Sequence, residues 1–247
     1  RRARVALLAG CAQQVLEPDI NVATIDVLTR NGVEVLIPRA QGCCGGLAWH
    51  TGDLAAAQAA ARRNLEAFPA DVDAILTNAA GCGSAMHEYA LILRGTPDEA
   101  RAREFCGRVV DVSVFLARLG LREKPTGWAE KVAVAYHDAC HLANAQGVRS
   151  EPRDLLRAIP GVELREVANA HLCCGSAGTY NLDQPDIAAV PPAQSQVEID
   201  EIGAPGFFDR VELDCLRRGR VHDPVLYRLE VAQRKDPAGV RGDVTGR

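Results

Sequence analysis

Nine cysteines are the residues in this 247-residue chain whose type and spacing could do chemistry. Seven of them follow a pattern that occurs twice: a single cysteine, then two adjacent cysteines and a glycine 32 or 33 positions later. The first copy has Cys11, Cys43 and Cys44, with Cys82 further along, and the second copy has Cys140, Cys173 and Cys174. A pattern repeated at this distance predicts a duplicated domain rather than a solenoid.

Soft-metal ligation is the chemistry that this pattern favours. Adjacent cysteines make strained disulfides, and a reducing cytosol disfavours disulfides between distant cysteines. Thiolates bind iron–sulfur clusters or zinc, and neighbouring glycines let backbone N–H groups reach the sulfur atoms. A structural zinc site closed by four thiolates remains the alternative. Cys106 and Cys215 lie outside the pattern, and we interpret them as small apolar residues.

The elements that would position these cysteines alternate between strands and helices. Short apolar runs predict strands over 4–9, 34–37, 73–77, 132–136 and 162–167. Amphipathic segments predict helices over 19–30, 54–67 with Asp53 as N-cap, 85–94, 98–106, 112–119 and 152–159. This alternation predicts an α/β fold with largely parallel sheets. The patterned cysteines follow strands, and ligand sites in such sheets lie at the carboxyl ends of strands.

Composition and charge exclude several classes of protein. The chain is 47% hydrophobic and 24% charged, which is typical of a globular protein with a substantial core. A net charge of -4 argues against nucleic acid or an anionic membrane surface as the main partner. We expect no transmembrane segment, because no apolar run approaches the roughly 18 residues that a membrane span needs. His137, His141 and His171 stand beside cysteines, where hydrogen bonding is favoured over ligation.

Three longer stretches resemble a known family. They are Asn78-Ala79-Ala80-Gly81-Cys82-Gly83, Tyr136-His137-Asp138-Ala139-Cys140-His141, and Cys173-Cys174-Gly175-Ser176-Ala177-Gly178-Thr179-Tyr180-Asn181-Leu182. With the repeated Cys-Cys-Gly pattern, they are similar to the cysteine-rich CCG domains of glycolate oxidase (glycolate dehydrogenase) iron–sulfur subunits. Heterodisulfide reductases and lactate-utilisation iron–sulfur proteins share these domains. The resemblance covers positions 4–189.

The resemblance implies a fold and a ligand set. The fold is α/β, with two duplicated CCG domains, each a small, mostly parallel sheet with flanking helices. We expect the first domain over 1–122, a truncated second domain over 131–190, and a divergent tail over 191–247. The implied cofactor is an iron–sulfur cluster of the 4Fe-4S type, with zinc as the alternative. The implied ligands are Cys11, Cys43, Cys44 and Cys82 in the first domain, and Cys140, Cys173 and Cys174 in the second.

The resemblance also implies a role. Such a subunit passes electrons from flavin-containing glycolate oxidase subunits toward the quinone pool, in the cytoplasm or peripherally on the inner face of the cell membrane. No complete catalytic site is expected in this chain alone. A heterodisulfide-reductase-like or lactate-utilisation oxidoreductase, and a structural zinc-binding protein, are the other hypotheses.

The sequence departs from the family pattern in three places. Ala85 stands where heterodisulfide reductase relatives complete a Cys-x-x-Cys motif, which argues against a five-thiolate cluster in the first domain. The family's amino-terminal ferredoxin-like part is not in this sequence, so the chain resembles the carboxyl two-thirds of a subunit. The tail over 191–247 lacks the expected Gly-Cys terminus, which suggests a frameshift in the gene and predicts poor order there.

Overall fold

The computed structural model describes residues 1–127, 131–167, 170, 179 and 183–188. In the first unit, residues 1–127, the strands are β1 (Ala3–Leu7), β2 (Val33–Leu36), β3 (Ala74–Thr77) and β4 (Val109–Asp111). Its helices are α1 (Gln13–Leu16), α2 (Pro18–Arg30), α3 (Gly46–His50), α4 (Leu54–Ala67), α5 (Ala80–His87), α6 (Tyr89–Ile92), α7 (Glu99–Cys106) and α8 (Val112–Leu119). The second unit, residues 131–167, contains β5 (Val132–Tyr136), a π-helical turn (His141–Ala145), α9 (Ser150–Arg157) and β6 (Val162–Glu166). A short helix α10 (Pro185–Ala188) lies further along the chain.

The first unit is built on a four-stranded parallel sheet with the order β2-β1-β3-β4. The two central strands, β1 and β3, are almost entirely buried, because helices cover both faces of the sheet there. Val5, Leu7 and Leu76 pack on one face with Leu28 of α2 and Leu116 of α8. Ala6 and Ile75 pack on the other face against residues of α4 to α7. This arrangement leaves all four carboxyl strand ends at one edge of the sheet.

The second unit contains two parallel strands, β5 and β6, with Val132 paired to Val162 and Tyr136 paired to Glu166. Its main electrostatic link is Arg153 on α9, whose guanidinium donates to both carboxylate oxygens of Asp138 at 2.7 and 3.0 Å. The same guanidinium pairs with Glu166 and lies 4.6 Å from the centre of the Tyr136 ring. Hydrogen bonds to Asp138 raise the pKa of Arg153, so the guanidinium stays protonated at every working pH. It ties α9 to the segment that leads into Cys140.

The structure confirms the predicted α/β class and most element positions. Asp53 caps α4 as expected, because its carboxylate accepts a hydrogen bond from the Ala56 N–H at 3.0 Å. The prediction of one helix over 85–94 is wrong, since α5 begins at Ala80 and α6 follows as a separate short helix. The sequence interpretation also missed β4, α1 and α3.

Three further results concern the segment between the two expected domains, the expected tail, and membrane-spanning helices. The segment between the expected domains, 123–130, is described up to residue 127, and this described part contains neither helix nor strand. The expected tail over 191–247 lies outside the described residues. Among the helices that the structure describes, none has the length and apolarity that crossing a membrane requires.

We expect Arg153→Met to destabilise the second unit by about 3 kcal/mol, because it leaves the buried Asp138 carboxylate without its main partner. Urea unfolding of the iron-free protein measures this loss. Arg157→Met is the matched control on the same helix. The Arg157 side chain is 54% exposed and pairs with Asp154 and Glu166, so its replacement should cost less than about 1 kcal/mol. Equal losses in the two variants would contradict a buried ion pair at Arg153.

Candidate metal centre

Three loops at the carboxyl edge of the four-stranded sheet carry the cysteines of the first unit. Cys11 lies after β1, Cys43 and Cys44 lie after β2, and Cys82 lies in the first turn of α5, after β3. The strand order places β2, β1 and β3 side by side, so three loops that are distant in sequence are neighbours in space. The sheet topology therefore brings together the four cysteines that the spacing had singled out.

The four thiols form a continuous chain of contacts. The Sγ atoms of Cys11 and Cys43 are 3.5 Å apart. Cys43 also interacts with Cys44, and Cys44 interacts with Cys82. Exposure changes along this chain, because Cys11 is exposed, Cys43 and Cys82 are half-buried, and Cys44 is buried. The chain of sulfur atoms thus runs between the surface and the interior of the first unit.

Bare thiolates are unfavourable at this edge. Burial raises the pKa of the Cys11 thiol, and contact with Cys43 raises it further. Contact with Cys44 and burial raise the pKa of Cys43. Contact with Cys43 lowers the pKa of Cys44, but contact with Cys82 and burial outweigh this effect and raise it to about 12. A positively charged centre is therefore needed to hold these sulfur atoms as thiolates near neutral pH.

The backbone around the paired cysteines is arranged to donate hydrogen bonds to sulfur. The Gly45 N–H donates to Cys43 Sγ, and the Gly46 N–H donates to Cys44 Sγ, each at 3.4 Å. Gly45 adopts a φ of +79°, and a Cβ atom there would lie 2.9 Å from the Cβ atom of Ala60 on α4. Only glycine satisfies both the left-handed backbone and the close packing on α4. The backbone conformation and the packing at position 45 thus explain why a glycine follows the paired cysteines.

A buried network on one side of the site fixes the Cys43-Cys44 loop. Asn64 of α4 accepts from the Gly42 N–H at 3.0 Å and donates to the Cys43 carbonyl at 3.1 Å. Its side-chain amide also donates to the Tyr89 hydroxyl at 2.8 Å, and that hydroxyl donates to the Cys44 carbonyl at 2.9 Å. Asn64 and Tyr89 are both fully buried. Through these hydrogen bonds, Asn64 and Tyr89 fix the backbone of both cysteines.

A second group of amide side chains fixes the loop that carries Cys11. Asn21 of α2 donates to the Ala9 carbonyl at 2.8 Å, and Gln13 bridges Asn21 to Asn78 at 2.8 and 2.9 Å. Gln41 joins this loop to the paired cysteines, because it accepts from the Ala9 N–H at 2.8 Å. The sequence analysis missed all of these residues, apart from quoting Asn78 within a motif. The sequence signal that could have indicated these residues is an asparagine or glutamine at the end of a strand or inside an amphipathic helix.

Only some of the other residues that the sequence singled out lie in the described part of the chain. Cys140 is described, and its Sγ atom lies 3.5 Å from Nδ1 of the adjacent His141. Cys173, Cys174 and His171 lie outside the described residues, as does Cys215. Cys106 lies on α7 away from the sheet edge and donates to the Met86 carbonyl at 3.2 Å, in agreement with a packing role.

A group with several metal atoms fits the donor set better than one ion. Among the residues that the structure describes, no three His, Cys, Asp or Glu side chains are grouped so that they could hold a metal ion. The thiols run as a chain instead of surrounding one point. Thiolates are the usual ligands of iron–sulfur clusters, whereas a structural zinc ion requires four donors around one centre, a grouping that the described residues do not show.

Comparison with known proteins identifies the family. The model of the cysteine-rich domain called CCG matches the chain twice, over residues 5–87 and 134–204. The chain belongs to the CCG cysteine-rich domain family. The two matches confirm the predicted duplication, and the second CCG match continues past the boundary at 190 that the sequence analysis predicted.

Three relatives are similar to this chain over most of its length. The probable glycolate oxidase iron–sulfur subunit of Bacillus subtilis is 39% identical over 181 residues, which cover 72% of this chain and 41% of the relative. The glycolate oxidase iron–sulfur subunit of Escherichia coli is 38% identical over 195 residues, which cover 75% and 46%. Lactate utilization protein A of Geobacillus thermodenitrificans is 30% identical over 228 residues, which cover 90% and 94%. The chain therefore spans less than half the length of these glycolate oxidase subunits.

We expect Asn64→Ala to disrupt the Cys43-Cys44 loop, because it removes one partner from the Gly42 N–H, the Cys43 carbonyl and the Tyr89 hydroxyl at once. The free energy of unfolding of the iron-free protein should fall by at least about 2 kcal/mol, and iodoacetamide should modify Cys44 faster. Urea titration and peptide mass spectrometry measure these effects.

Gln58→Ala is the matched control for this variant. Gln58 is also an amide on α4, and it donates to the Ile92 carbonyl at 3.0 Å, away from the loop. Its replacement should leave the modification rate of Cys44 unchanged. If both variants accelerate that modification equally, Asn64 has no specific role in holding the loop.

Proposed function

We propose that this chain binds an iron–sulfur cluster through Cys11, Cys43, Cys44 and Cys82 and transfers electrons through it. The observation that carries the proposal is the continuous chain of four thiols, assembled from three loops at one edge of a parallel sheet. The names of the relatives support it, since two are iron–sulfur subunits of glycolate oxidase. We further propose the 4Fe-4S type, because four thiolates are the usual ligand set of such a cluster.

The second set of ligands in the proposal is Cys140, Cys173 and Cys174. Support comes from the second match to the CCG domain and from the spacing, which repeats that of the first set within one position. The proposed domain limits are 1–122 and 131–190, with a divergent tail over 191–247. In this scheme the chain carries two similar centres, and Asp138 and Arg153 support the loop that holds Cys140.

The residues of the first unit would make this site suitable for electron transfer. A bound cluster supplies a centre that takes up and releases single electrons. The Gly45 and Gly46 N–H groups donate to the ligand sulfur atoms and so favour the more negative, reduced state. Buried Asn64 and Tyr89 restrict movement of the loop, which reduces the reorganisation that accompanies each change of charge. The exposed Cys11 provides the shortest route between the site and an external partner.

The biological role that we propose is that of an electron-transfer subunit in a flavin-dependent glycolate dehydrogenase. Flavin-containing subunits would oxidise the 2-hydroxy acid, and this chain would pass the electrons toward the quinone pool. We place the complex in the cytoplasm, peripherally on the inner face of the cell membrane. Lactate is the second candidate substrate of such a complex, because the chain covers nearly the whole length of a lactate utilization protein.

The test of the cofactor compares cysteine variants after anaerobic purification. Cys44→Ser should lower iron and acid-labile sulfide to about half of the wild-type content, because one of two centres is lost. Cys106→Ser is the matched control and should retain the full content. Stoichiometric zinc without iron in the wild-type protein would overturn the cluster proposal and favour a structural zinc site.

The test of the role uses reconstitution with the flavin-containing subunits. Glycolate-dependent reduction of a dye should require both partners, and Cys44→Ser should abolish the part of the rate that depends on this chain. Lactate in place of glycolate distinguishes the two candidate substrates. A dye-reduction rate that is the same with and without this chain would contradict an electron-transfer role.

A further inference from the structure

The segment around Cys140 in the second unit packs directly on α5, the helix of the first unit that carries Cys82. Ala139, Leu142 and Val148 are buried in one apolar cluster with Ala80 of α5 and Val114 of α8. Ala80 is the first residue of α5, and Cys82 lies two positions further on. The second unit therefore contacts α5 at the turn that presents the Cys82 thiol.

Polar contacts cross this apolar interface at the same turn. The side-chain amide of Gln146 donates to the Ala80 carbonyl at 3.0 Å and lies 3.5 Å from the Ser84 hydroxyl. The Ser84 hydroxyl donates in return to the carbonyl of His141 at 3.1 Å. These contacts bracket Cys82 on α5 and involve the residue next to Cys140. They form a polar link between the two cysteine loops.

Gly83 makes room for this link. A Cβ atom at position 83 would lie 2.8 Å from Gln146 Nε2, 3.0 Å from Gln146 Oε1 and 2.8 Å from Thr77 Oγ1. Real Cβ atoms do not approach other heavy atoms so closely, so a side chain at position 83 would displace the Gln146 amide. The glycine after Cys82 thus permits a close approach between the two units.

The start of α5 also exerts a local electric field. Ala79 is the N-cap of α5 and provides no side-chain hydrogen bond to the first turn. The first N–H groups of the helix therefore have no side-chain acceptor at the N-cap and keep their partial positive charge, and the Cys82 thiol belongs to the third residue of the helix. A tilt of α5 would change both the position of that thiol and the field that these N–H groups exert on it.

We propose that Gln146 is a positioning residue for Cys82, through which the second unit sets the redox potential of the group bound by the first unit. The statement about potential rests on the proposed function. The statement about position does not, because the contacts of Gln146 with α5 are made by the protein alone. The two statements can therefore be tested separately.

The first test uses iron-free protein and the variant Gln146→Met, which keeps the length of the side chain but removes its donor. We expect hydrogen exchange in α5 and alkylation of Cys82 to become about fivefold faster, as for the loss of one hydrogen bond. Alkylation of Cys11 should not change. Asn144→Ala is the matched control in the same turn, since Asn144 is exposed and its side chain accepts a hydrogen bond from Arg149 within the second unit. Equal rates in wild-type protein and Gln146→Met would overturn the proposal.

The second test uses iron-loaded protein and a reductive titration with dithionite. Gln146→Met should keep the wild-type iron content but change the one-electron equilibrium constant of one centre at least threefold. Ser84→Ala should change it in the same direction by a smaller factor. A changed exchange rate with an unchanged potential would reduce Gln146 to a structural contact and overturn the redox part.

Gly83→Ala should disturb the same contact from the α5 side. Hydrogen exchange in α5 should then be as fast as in Gln146→Met. The double variant should exchange only about as fast as either single variant, because both changes break one contact. If no variant or wild-type protein retains iron, the proposed function fails, while the exchange rates still decide whether Gln146 positions α5. Failure of the two proposals is thereby distinguishable.

Discussion

Four sulfur atoms share one edge of a parallel sheet, and for Cys11, Cys43 and Cys44 burial and contacts with neighbouring thiols oppose ionisation on balance. Cys43 and Cys44 show this conflict most clearly, since both have raised pKa values. Such an arrangement is stable as thiolates only when positive charge is bound among them. The surrounding structure must therefore hold the loops in place before and after that charge is bound, and the packing around the site follows from this need.

Neutral amide groups meet that need without adding charge. Asn64 and Tyr89 fix the paired cysteines, and Asn21 with Gln13 fixes the loop of Cys11, through hydrogen bonds to backbone atoms and to one another. A lysine or carboxylate in the same places would shift the redox equilibrium of a bound cluster through direct Coulomb interaction. Ion pairs of the first unit, such as Arg62 with Asp98, instead lie on more exposed side chains. Uncharged side chains thus fix the ligand loops without adding charge beside the site.

Sequence patterns predicted which strands lead into the cysteines better than they predicted the residues that hold the cysteine loops. The apolar runs before Cys11 and Cys82 indicated buried strands, and parallel strands bring their carboxyl ends together. The start of α5 could not be predicted, because Gly81 and Gly83 disfavour a helix, and the close approach of Gln146 that explains Gly83 comes from the second unit. Similarly, β4 has three residues and gains its stability from pairing with β3. The hydrogen bond from Asn78 to Asn21 joins positions 57 residues apart, which periodicity does not encode.

The described parts of the two units differ in how their strands are covered, and residues 131–167 gain burial from the first unit. In β1 and β3 nearly every residue is buried, whereas β5 and β6 alternate between half-buried and exposed residues. A two-stranded sheet is marginally stable by itself, so the described residues 131–167 need apolar packing from outside their own strands. Among the described contacts, Leu142 and Val148 are buried against α5. Leu155 of α9 packs against the apolar cluster that includes Leu116 of α8. The burial of residues 131–167 and the contacts of the turn that carries Cys82 therefore share one interface.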